Sequence, residues 1–320
     1  MPKTIRPRRS ILYMPGSNAR ALEKARSLPT DGVILDLEDS VAPDAKEEAR
    51  KMVTDALKAG GFGKREILLR VNGADTPWGI EDLVAAATSG ADAVLLPKID
   101  SAEQVQEAEA LLKASGAPET LSIWCMMDPP AGILHAEAIA KASERLEGYV
   151  MGTSDLTKDL QAVHTPMRLP MLTSLGICLL AARAFDLAIV DGVYLDLGDE
   201  KGFTNACCQG AELGFDGKTL IHPKQVGPAN TIFAPSQDEV TFSHKIIDAH
   251  KEAAAEGKGV VVVDGKLIEN LHVLNAERIV QMSQAIAEME KEAVERPESR
   301  SIPLQIMHQP VLLAHVKQRE

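Results

Sequence analysis

Residues 32 to 50 read GVILDLEDSVAPDAKEEAR and contain the pattern that decides the fold. GVILDL is a short apolar run that is typical of a buried strand. A polar turn with a proline follows, and DAKEEAR then begins a helical pattern whose first turn Asp44 is expected to cap. The stretch is therefore predicted to be one strand-turn-helix unit.

The same unit recurs along the chain. Eight apolar runs are predicted to be strands, at residues 10–14, 32–37, 66–71, 92–97, 121–127, 148–152, 188–197 and 218–222. Helical patterns lie between them, at 18–27, 44–58, 78–88, 102–114, 132–142, 171–186 and 201–213. Eight alternating units predict an α/β fold with a closed (β/α)8 TIM barrel. An open doubly wound sheet is the rival, but its GxGxxG fingerprint follows none of the strands.

The composition changes after Phe233 to two long polar helices. The stretch between them, GVVVVDGKLIE, predicts a β-hairpin with its turn at Asp264 and Gly265. The expected organisation is a barrel over residues 1–230, a helical extension with a hairpin arm over 231–295, and a tail over 296–320. The arm is expected to pack on a neighbouring subunit, and a subdomain packed on its own barrel is the alternative.

Composition excludes several classes of protein. Of the 320 residues, 45% are hydrophobic and 25% are charged, which is ordinary globular usage. A net charge of -12 argues against a nucleic-acid partner. No apolar run is long enough to span a bilayer, and the N-terminus lacks the apolar core of a signal peptide. We therefore expect a cytoplasmic protein with no membrane partner.

The cysteines and the basic N-terminal segment are two further features of the sequence. The four cysteines show no CxxC spacing, so they are expected to be reduced and packed rather than bound to zinc. The N-terminal segment contains Lys3, Arg6, Arg8 and Arg9. It is interpreted either as a solvated arm or as an edge that binds phosphate groups.

Ionisable side chains end several of the predicted strands, where barrel enzymes carry their chemistry. Asp128 and Asp155 end strands five and six, so their carboxylates are expected on one rim, where they repel unless a cation lies between them. Mg2+ suits such a pair, because it takes one or two carboxylates and fills its other positions with water and substrate oxygens. The alternatives are a helix cap for Asp128 and a turn residue for Asp155.

Three other strand ends carry candidate groups. Arg70 ends strand three and is expected either to stabilise an oxyanion or to pair with Glu38 or Asp39. These roles are compatible, since an acid that positions the arginine also serves catalysis. Lys98 could form a Schiff base, but an ion pair with the acidic end of strand two is favoured. His222 ends strand eight and is expected to contact substrate through its ring or its backbone.

A resemblance rests on LYMPGSN, ILDLEDSVAPDAKEEAR, LRVNGADT, LLPKI, GTSDLTKDL and GFDGKTLIHPKQVGPANTIFAPS, in this order. Together they resemble the HpcH/HpaI aldolase and citrate lyase β-subunit superfamily, in particular its malyl-CoA lyase and citrate-lyase-β-like branches. The similarity runs from about residue 8 to residue 290.

The resemblance implies a TIM barrel, a homotrimer or hexamer, Mg2+ (or Mn2+) and a CoA thioester as substrate. The implied reaction is reversible cleavage of malyl-CoA, or of a methylmalyl-CoA-like 3-hydroxyacyl-CoA, to acetyl-CoA or propionyl-CoA and a 2-oxo acid, glyoxylate. The implied site residues are Tyr13, Asn18, Lys24, Arg70, Ser154, Asp155, Ile221 and His222 for substrate and CoA, Asp128 and Asp155 for metal, and Arg70, Glu38, Asp39 and Glu269 for catalysis.

The chain departs from the family pattern at two of these positions. Asp128 stands where the family usually has a glutamate ligand, and Glu269 stands where a neighbouring subunit usually supplies a catalytic aspartate. Asn18 also replaces an arginine of the malyl-CoA lyases. Either the first two changes compensate each other, or they mark another activity. The alternatives are a (3S)-malyl-CoA thioesterase, a pyruvate aldolase, and a citrate-lyase-like subunit that needs an acyl-carrier partner.

Overall fold

The computed structural model describes residues 5–295, and their side chains through residue 292. Eight parallel strands follow one another around a closed barrel in which the first strand pairs with the last. The strands are β1 Ser10–Pro15, β2 Gly32–Asp36, β3 Glu66–Arg70, β4 Ala93–Leu96, β5 Ser122–Met127, β6 Leu146–Met151, β7 Ala188–Asp191 and β8 Gly217–Leu220. The predicted (β/α)8 barrel is confirmed.

Helices surround the barrel. They are α1 Ala19–Ala25, α2 Lys46–Ala59, α3 Gly79–Ala87, α4 Ala102–Ala114, α5 Pro130–Leu134, α6 Ala136–Ala140, α7 Thr153–Asp159, α8 Leu172–Ala184, α9 Glu200–Leu213 and α10 Val226–Ile232. The helix predicted at 132–142 is in fact the pair α5 and α6, and α7 and α10 were not predicted. Asp44 does not cap α2, because it lies in a 3-10 turn, Pro43–Ala45, that precedes the helix.

Strand seven is shorter than the sequence predicts. The run AIVDGVYLDL is continuous in character, but β7 ends at Asp191 because its pairing with β6 and β8 ends there. The following residues, 192–199, leave the barrel as a loop. This loop brings Val193 and Leu195 over the C-terminal end of the barrel, where they line a cavity.

Two apolar layers result from the alternation of side chains along the strands. One set fills the barrel and includes Ile11, Ile34, Leu68, Trp124, Met126, Val150 and Val190. The other set, with Leu12, Val33, Leu35, Leu69 and Ile123 among its members, packs against the surrounding helices. The interior is thus a filled core, and the functional groups lie at its end.

The N-terminal arginines close the other end of the barrel. Arg8 donates two hydrogen bonds to the Glu66 carboxylate, at 2.6 and 2.7 Å, and lies over the ring of Trp124. Arg9 pairs with Asp31. The interpretation as a solvated arm is wrong for Arg8 and Arg9, because buried ion pairs hold them in the fold. The interpretation as a phosphate-binding edge stays a prediction. Lys3 lies outside the described residues.

The chain then forms an extension made of α11 Gln237–Ala255, a hairpin of β9 Val261–Val263 and β10 Lys266–Ile268, and α12 Asn270–Glu295. The predicted hairpin turn is confirmed, with positive φ at Asp264 and Gly265, as a two-residue turn requires. A small core of its own holds the extension together, formed by Ile246, Val263, Ile268, Val273 and Ala276.

The extension also carries exposed apolar side chains. We call them the arm patch, and they are Val260, Val262, Leu267, Leu271 and Leu274. The far end of α12 returns to the barrel, where Glu290 pairs with Arg9 at 3.1 Å. The predicted tail, residues 296–320, lies outside the described part of the chain. No helix within residues 5–295 combines the length and apolar character needed to cross a bilayer.

Candidate active site

The alternation of the strands determines which polar groups enter the mouth of the barrel. A residue two positions after an inward-facing apolar residue again faces inward. Ile11, Ile34, Leu68 and Met126 belong to the interior layer, and the residues two positions further on are Tyr13, Asp36, Arg70 and Asp128. The barrel therefore carries a polar layer directly above its apolar core.

Arg70 is the most constrained group of this layer. Its Nε and Nη2 donate to the two carboxylate oxygens of Asp36, both at 2.7 Å. Its Nη1 lies 2.9 Å from Glu38 and 3.4 Å from Asp39. Burial alone would raise the pKa of Asp36, but the charge and hydrogen bonds of Arg70 hold it below its ordinary value. The predicted pairing with Glu38 and Asp39 is confirmed, and the partner that sequence analysis missed is Asp36.

Tyr13 supports Arg70 from below. The guanidinium lies over the tyrosine ring, 4.8 Å from its centre. The tyrosine hydroxyl donates to the sulfur of Met126 at 3.4 Å, and burial raises its pKa. Tyr13 is thus part of the floor of the mouth.

Lys98 forms the ion pair that the sequence favoured. Its Nζ lies 3.0 Å from Glu38 and 3.9 Å from Asp39. Burial alone would lower the pKa of Lys98, but the charge of Glu38 raises it above its ordinary value. A Schiff-base lysine needs a lowered pKa, so this geometry does not suit that chemistry.

Asp128 is a buried carboxylate with an unsatisfied oxygen. It is 3% exposed, and its Oδ1 has no hydrogen-bond partner. Burial, with the nearby charges of Asp155 and Glu38, raises its pKa to about 7. It caps no helix, since Pro129 precedes α5 and no side chain caps it. Gly152 leaves room for it, because a Cβ at Gly152 would lie 2.4 Å from the Cβ of Asp128.

Ser154 and Asp155 lie in the first turn of α7, the short helix after β6. Asp155 is therefore a helical residue rather than a turn residue. Its carboxylate is partly exposed, and its closest cation is Lys158 at 3.9 Å. It faces the same cavity as Asp128.

A cavity of about 120 Å³, which we call the mouth cavity, connects these groups. Seven of the predicted site residues line it: Tyr13, Asp39, Arg70, Asp128, Ser154, Asp155 and Ile221. Its other lining residues include Asp36 and Ser40, and the apolar Met126, Met151, Val193 and Leu195, none of which the sequence analysis assigned to the site. Glu38 lines a larger neighbouring cavity of about 730 Å³, which also reaches Asp39.

Besides Glu38, four predicted site residues do not line the mouth cavity. Asn18 caps α1, where its side chain accepts a hydrogen bond from the amide of Ala21 at 3.1 Å. Lys24 lies in the last turn of that helix. His222 accepts a hydrogen bond at Nδ1 from the amide of Lys224, and burial, Lys224 and Lys24 lower its pKa. Glu269 is exposed, between the hairpin and α12.

The charge of the mouth suits a divalent cation. Five carboxylates meet two cations there, so full ionisation gives 2 - 5 = -3; the groups are Asp36, Glu38, Asp39, Asp128 and Asp155 with Arg70 and Lys98. Within residues 5–292, no group of three or more His, Cys, Asp and Glu side chains is arranged to hold a metal. Mg2+ needs only one or two carboxylates. The unsatisfied Asp128 beside Asp155 therefore fits it.

The raised pKa of Asp128 makes the stability of the metal-free protein depend on pH. The folded protein keeps this proton up to about pH 7, whereas the unfolded chain loses it near the ordinary pKa of an aspartate, 3.8. The stabilising contribution is full below about pH 4 and lost as the pH rises through 7. In urea titrations with chelator, Asp128→Asn should gain stability relative to the wild type between pH 4 and 8, by up to about 4 kcal/mol. A constant difference would contradict this assignment.

Comparison with curated proteins finds enzymes of related activities. A (3S)-malyl-CoA thioesterase of Cereibacter sphaeroides (strain KD131) is 49% identical over 281 residues, which cover 88% of this chain and 96% of that protein. Citrate lyase subunit beta of Escherichia coli (strain K12) is 38% identical over 280 residues, which cover 86% and 92%.

Solved structures agree with the sequence comparison. CitE of Mycobacterium tuberculosis, in complex with magnesium, acetoacetate and coenzyme A, aligns with a TM-score of 0.69 at 26% identity, over 87% of this chain and 98% of that one. The citrate lyase beta subunit of the same organism, with oxaloacetate and magnesium, gives 0.61 at 29%, over 72% and 98%. The sequence profile of the HpcH/HpaI aldolase/citrate lyase family matches residues 9–223, so this chain belongs to that family.

Proposed function

We propose that this protein hydrolyses the thioester of a malyl-type CoA ester, a 3-hydroxyacyl-CoA with a free carboxylate. The observation that carries the proposal is the presence, in one small cavity, of a rigidly held Arg70 and the unsatisfied carboxylate of Asp128. The choice of hydrolysis is supported by the 49% identity to a (3S)-malyl-CoA thioesterase.

Arg70 suits the charge that develops during hydrolysis. Water adds to the thioester carbon, and the electrons of the C=O bond move to its oxygen, which becomes negative. Asp36 takes the Nε hydrogen and one Nη2 hydrogen of Arg70, so the second Nη2 hydrogen remains for that oxygen. When the C=O bond forms again, the C–S bond breaks, and CoA leaves as a thiol after taking up a proton.

Asp128 and Asp155 are the groups proposed to hold Mg2+, and Mn2+ would suit the same carboxylates. When bound, the ion supplies positive charge that attracts the carboxylate and hydroxyl oxygens of the acid end. Asp128 keeps its place because Gly152 and the surrounding strands pack against it. Ser154 and Ile221, which line the same cavity, are proposed to contact the acyl group.

The CoA portion is proposed to bind outside the mouth cavity, near Lys24 and His222. Lys24 offers a cation to a phosphate group, and His222 stays neutral because its pKa is lowered. Its Nδ1 is engaged by Lys224, so Nε2 is the ring nitrogen available to substrate. Asn18 is proposed to contribute through the amides of the α1 turn that it caps. Tyr13, in the floor, is proposed to reach the acyl end of the ester.

We further propose a homotrimer or hexamer in which the extension of one copy completes the site of the next. Besides the arm patch, the chain exposes a second apolar set in the segment that follows α7, formed by Val163, Met167 and Leu169. Two different patches on one chain suit head-to-tail contacts that close into a ring. Glu269 is exposed at the base of the arm, where it can reach a neighbouring mouth as a general base.

Carbon-carbon cleavage to an acyl-CoA and glyoxylate is the second candidate, supported by the 38% identity to a citrate lyase beta subunit. Cleavage would use the same arginine, because the enolate also carries its negative charge on the thioester oxygen. A pyruvate aldolase and a subunit that depends on an acyl carrier are the remaining proposals. Turnover of a free CoA ester would exclude both.

A paired assay tests the reaction. Purified protein with Mg2+ and malyl-CoA is followed for free CoA thiol and for glyoxylate in the same sample. We expect thiol to be released without glyoxylate, because the ester is hydrolysed. Glyoxylate without thiol would reject hydrolysis in favour of cleavage. If neither product were formed, malyl-CoA would be rejected as the substrate.

Mixed oligomers test the shared site. Asp155→Asn and Glu269→Gln variants should each be inactive, and after joint refolding their mixture should recover about a quarter of wild-type activity, since that fraction of sites combines the two intact residues at random. Asp159→Asn mixed with Glu269→Gln serves as the control, because Asp159 lies on α7 with an exposure close to that of Asp155. This control mixture should reach about half of wild-type activity. Every chain in it carries Asp155, so a site is intact wherever the neighbouring chain carries Glu269. A mixture of the two inactive variants that stays inactive would show that Glu269 does not act in trans.

A further inference from the structure

Unsatisfied polar atoms are concentrated at the mouth cavity. Among the residues that the structure describes, four buried side-chain polar atoms have no hydrogen-bond partner: Ser40 Oγ, Trp124 Nε1, Asp128 Oδ1 and Thr165 Oγ1. Two of them belong to residues that line this one cavity, Ser40 and Asp128. An unpaired buried hydroxyl destabilises a fold. The Ser40 side chain helps to lower the pKa of Asp36, but its hydroxyl makes no hydrogen bond of good geometry, so packing alone does not explain the serine.

Ser40 is held beside Arg70 by a shared acceptor. The backbone amide of Ser40 donates to Oδ2 of Asp36 at 3.1 Å, and Nη2 of Arg70 donates to the same oxygen at 2.7 Å. The amide of Glu38 donates to the other oxygen, Oδ1, at 2.9 Å. The loop after β2 is thereby fixed, and Ser40 has one place relative to the guanidinium.

We infer that Ser40 is a catalytic residue whose hydroxyl donates a second hydrogen bond to the thioester oxygen, beside Arg70. The inference rests on the proposed function, because it adds a donor to the same reaction. A serine hydroxyl has three staggered orientations about its Cα–Cβ bond, and Ser40 lines the cavity that the ester is proposed to enter. Substrate then supplies the partner that the free protein lacks, and the bond is strongest when the oxygen is most negative.

The test compares Ser40→Ala with Thr165→Val. Thr165 is a matched control, because its buried hydroxyl also lacks a partner but does not belong to the mouth cavity. Both variants are measured as full-length protein for thermal unfolding without metal, and for kcat and KM with malyl-CoA and Mg2+, following thiol and glyoxylate.

Both variants should unfold at or above the wild-type temperature, because each loses an unpaired hydroxyl. Ser40→Ala should lower kcat by at least about 10-fold with little change in KM, since the donor acts mainly in the transition state. Thr165→Val should keep wild-type kcat.

Two results would overturn the inference while leaving the proposed function intact. One is a Ser40→Ala enzyme with wild-type kcat. The other is a Ser40→Ala protein that loses stability together with activity, which would indicate a structural role. A wild type that turns over no malyl-CoA would overturn the proposed function and this inference with it. If the wild type releases glyoxylate, the same comparison holds for cleavage, because the enolate oxygen is also the thioester oxygen.

Discussion

The ion pair between Asp36 and Arg70 is the interaction on which the mouth of the barrel depends. It joins the ends of β2 and β3 through two hydrogen bonds of 2.7 Å, shielded from water. Asp36 also accepts the amides of Glu38 and Ser40, and so fixes the loop that follows β2. Glu38 in turn holds Lys98, on the next strand end. One buried pair thereby orders the loop that contains Glu38 and Ser40 and, through Glu38, the distant Lys98.

The polar layer at the mouth of the barrel does not neutralise all of its own charges. Asp36 is neutralised by Arg70, and Glu38 is shared between Arg70 and Lys98, but no cation pairs directly with Asp128 among the described residues. A buried carboxylate in this condition keeps a proton at the expense of its charge. The mouth is therefore proposed to receive a cation and a polar substrate. Its unsatisfied groups lower the stability of the empty protein and become useful only when the site is filled.

The sequence was sufficient for the barrel because every strand-helix unit repeats one local pattern. It failed where local patterns mislead. AIVDGVYLDL has the apolar character of a strand throughout, yet neighbouring strands pair with four of its residues. The seven residues of α7 are too few to show a helical period. The partners of Arg8 and Arg9 lie far along the chain, so no local pattern shows that these residues are buried.

The candidate site likewise contains residues that the sequence predicts and residues that it does not. Asp128, Asp155 and Arg70 could be chosen because each was predicted to end a strand, and that choice brought together three residues of one cavity, although Asp155 lies on α7. Asp36 was missed although its position two residues after Ile34 marks it as inward-facing. Ser40 could not be found in this way, since an unsatisfied hydroxyl is a property of the assembled fold.

We propose above that a divalent cation on Asp128 and Asp155 completes the mouth. Titration calorimetry of Mg2+ into metal-free protein at pH 8, where Asp128 is ionised, is the measurement to make. We expect one Mg2+ per chain for the wild type and for Asp159→Asn, with an affinity at least about 10-fold lower for Asp155→Asn. Equal affinities in all three proteins, or no binding by the wild type, would contradict it.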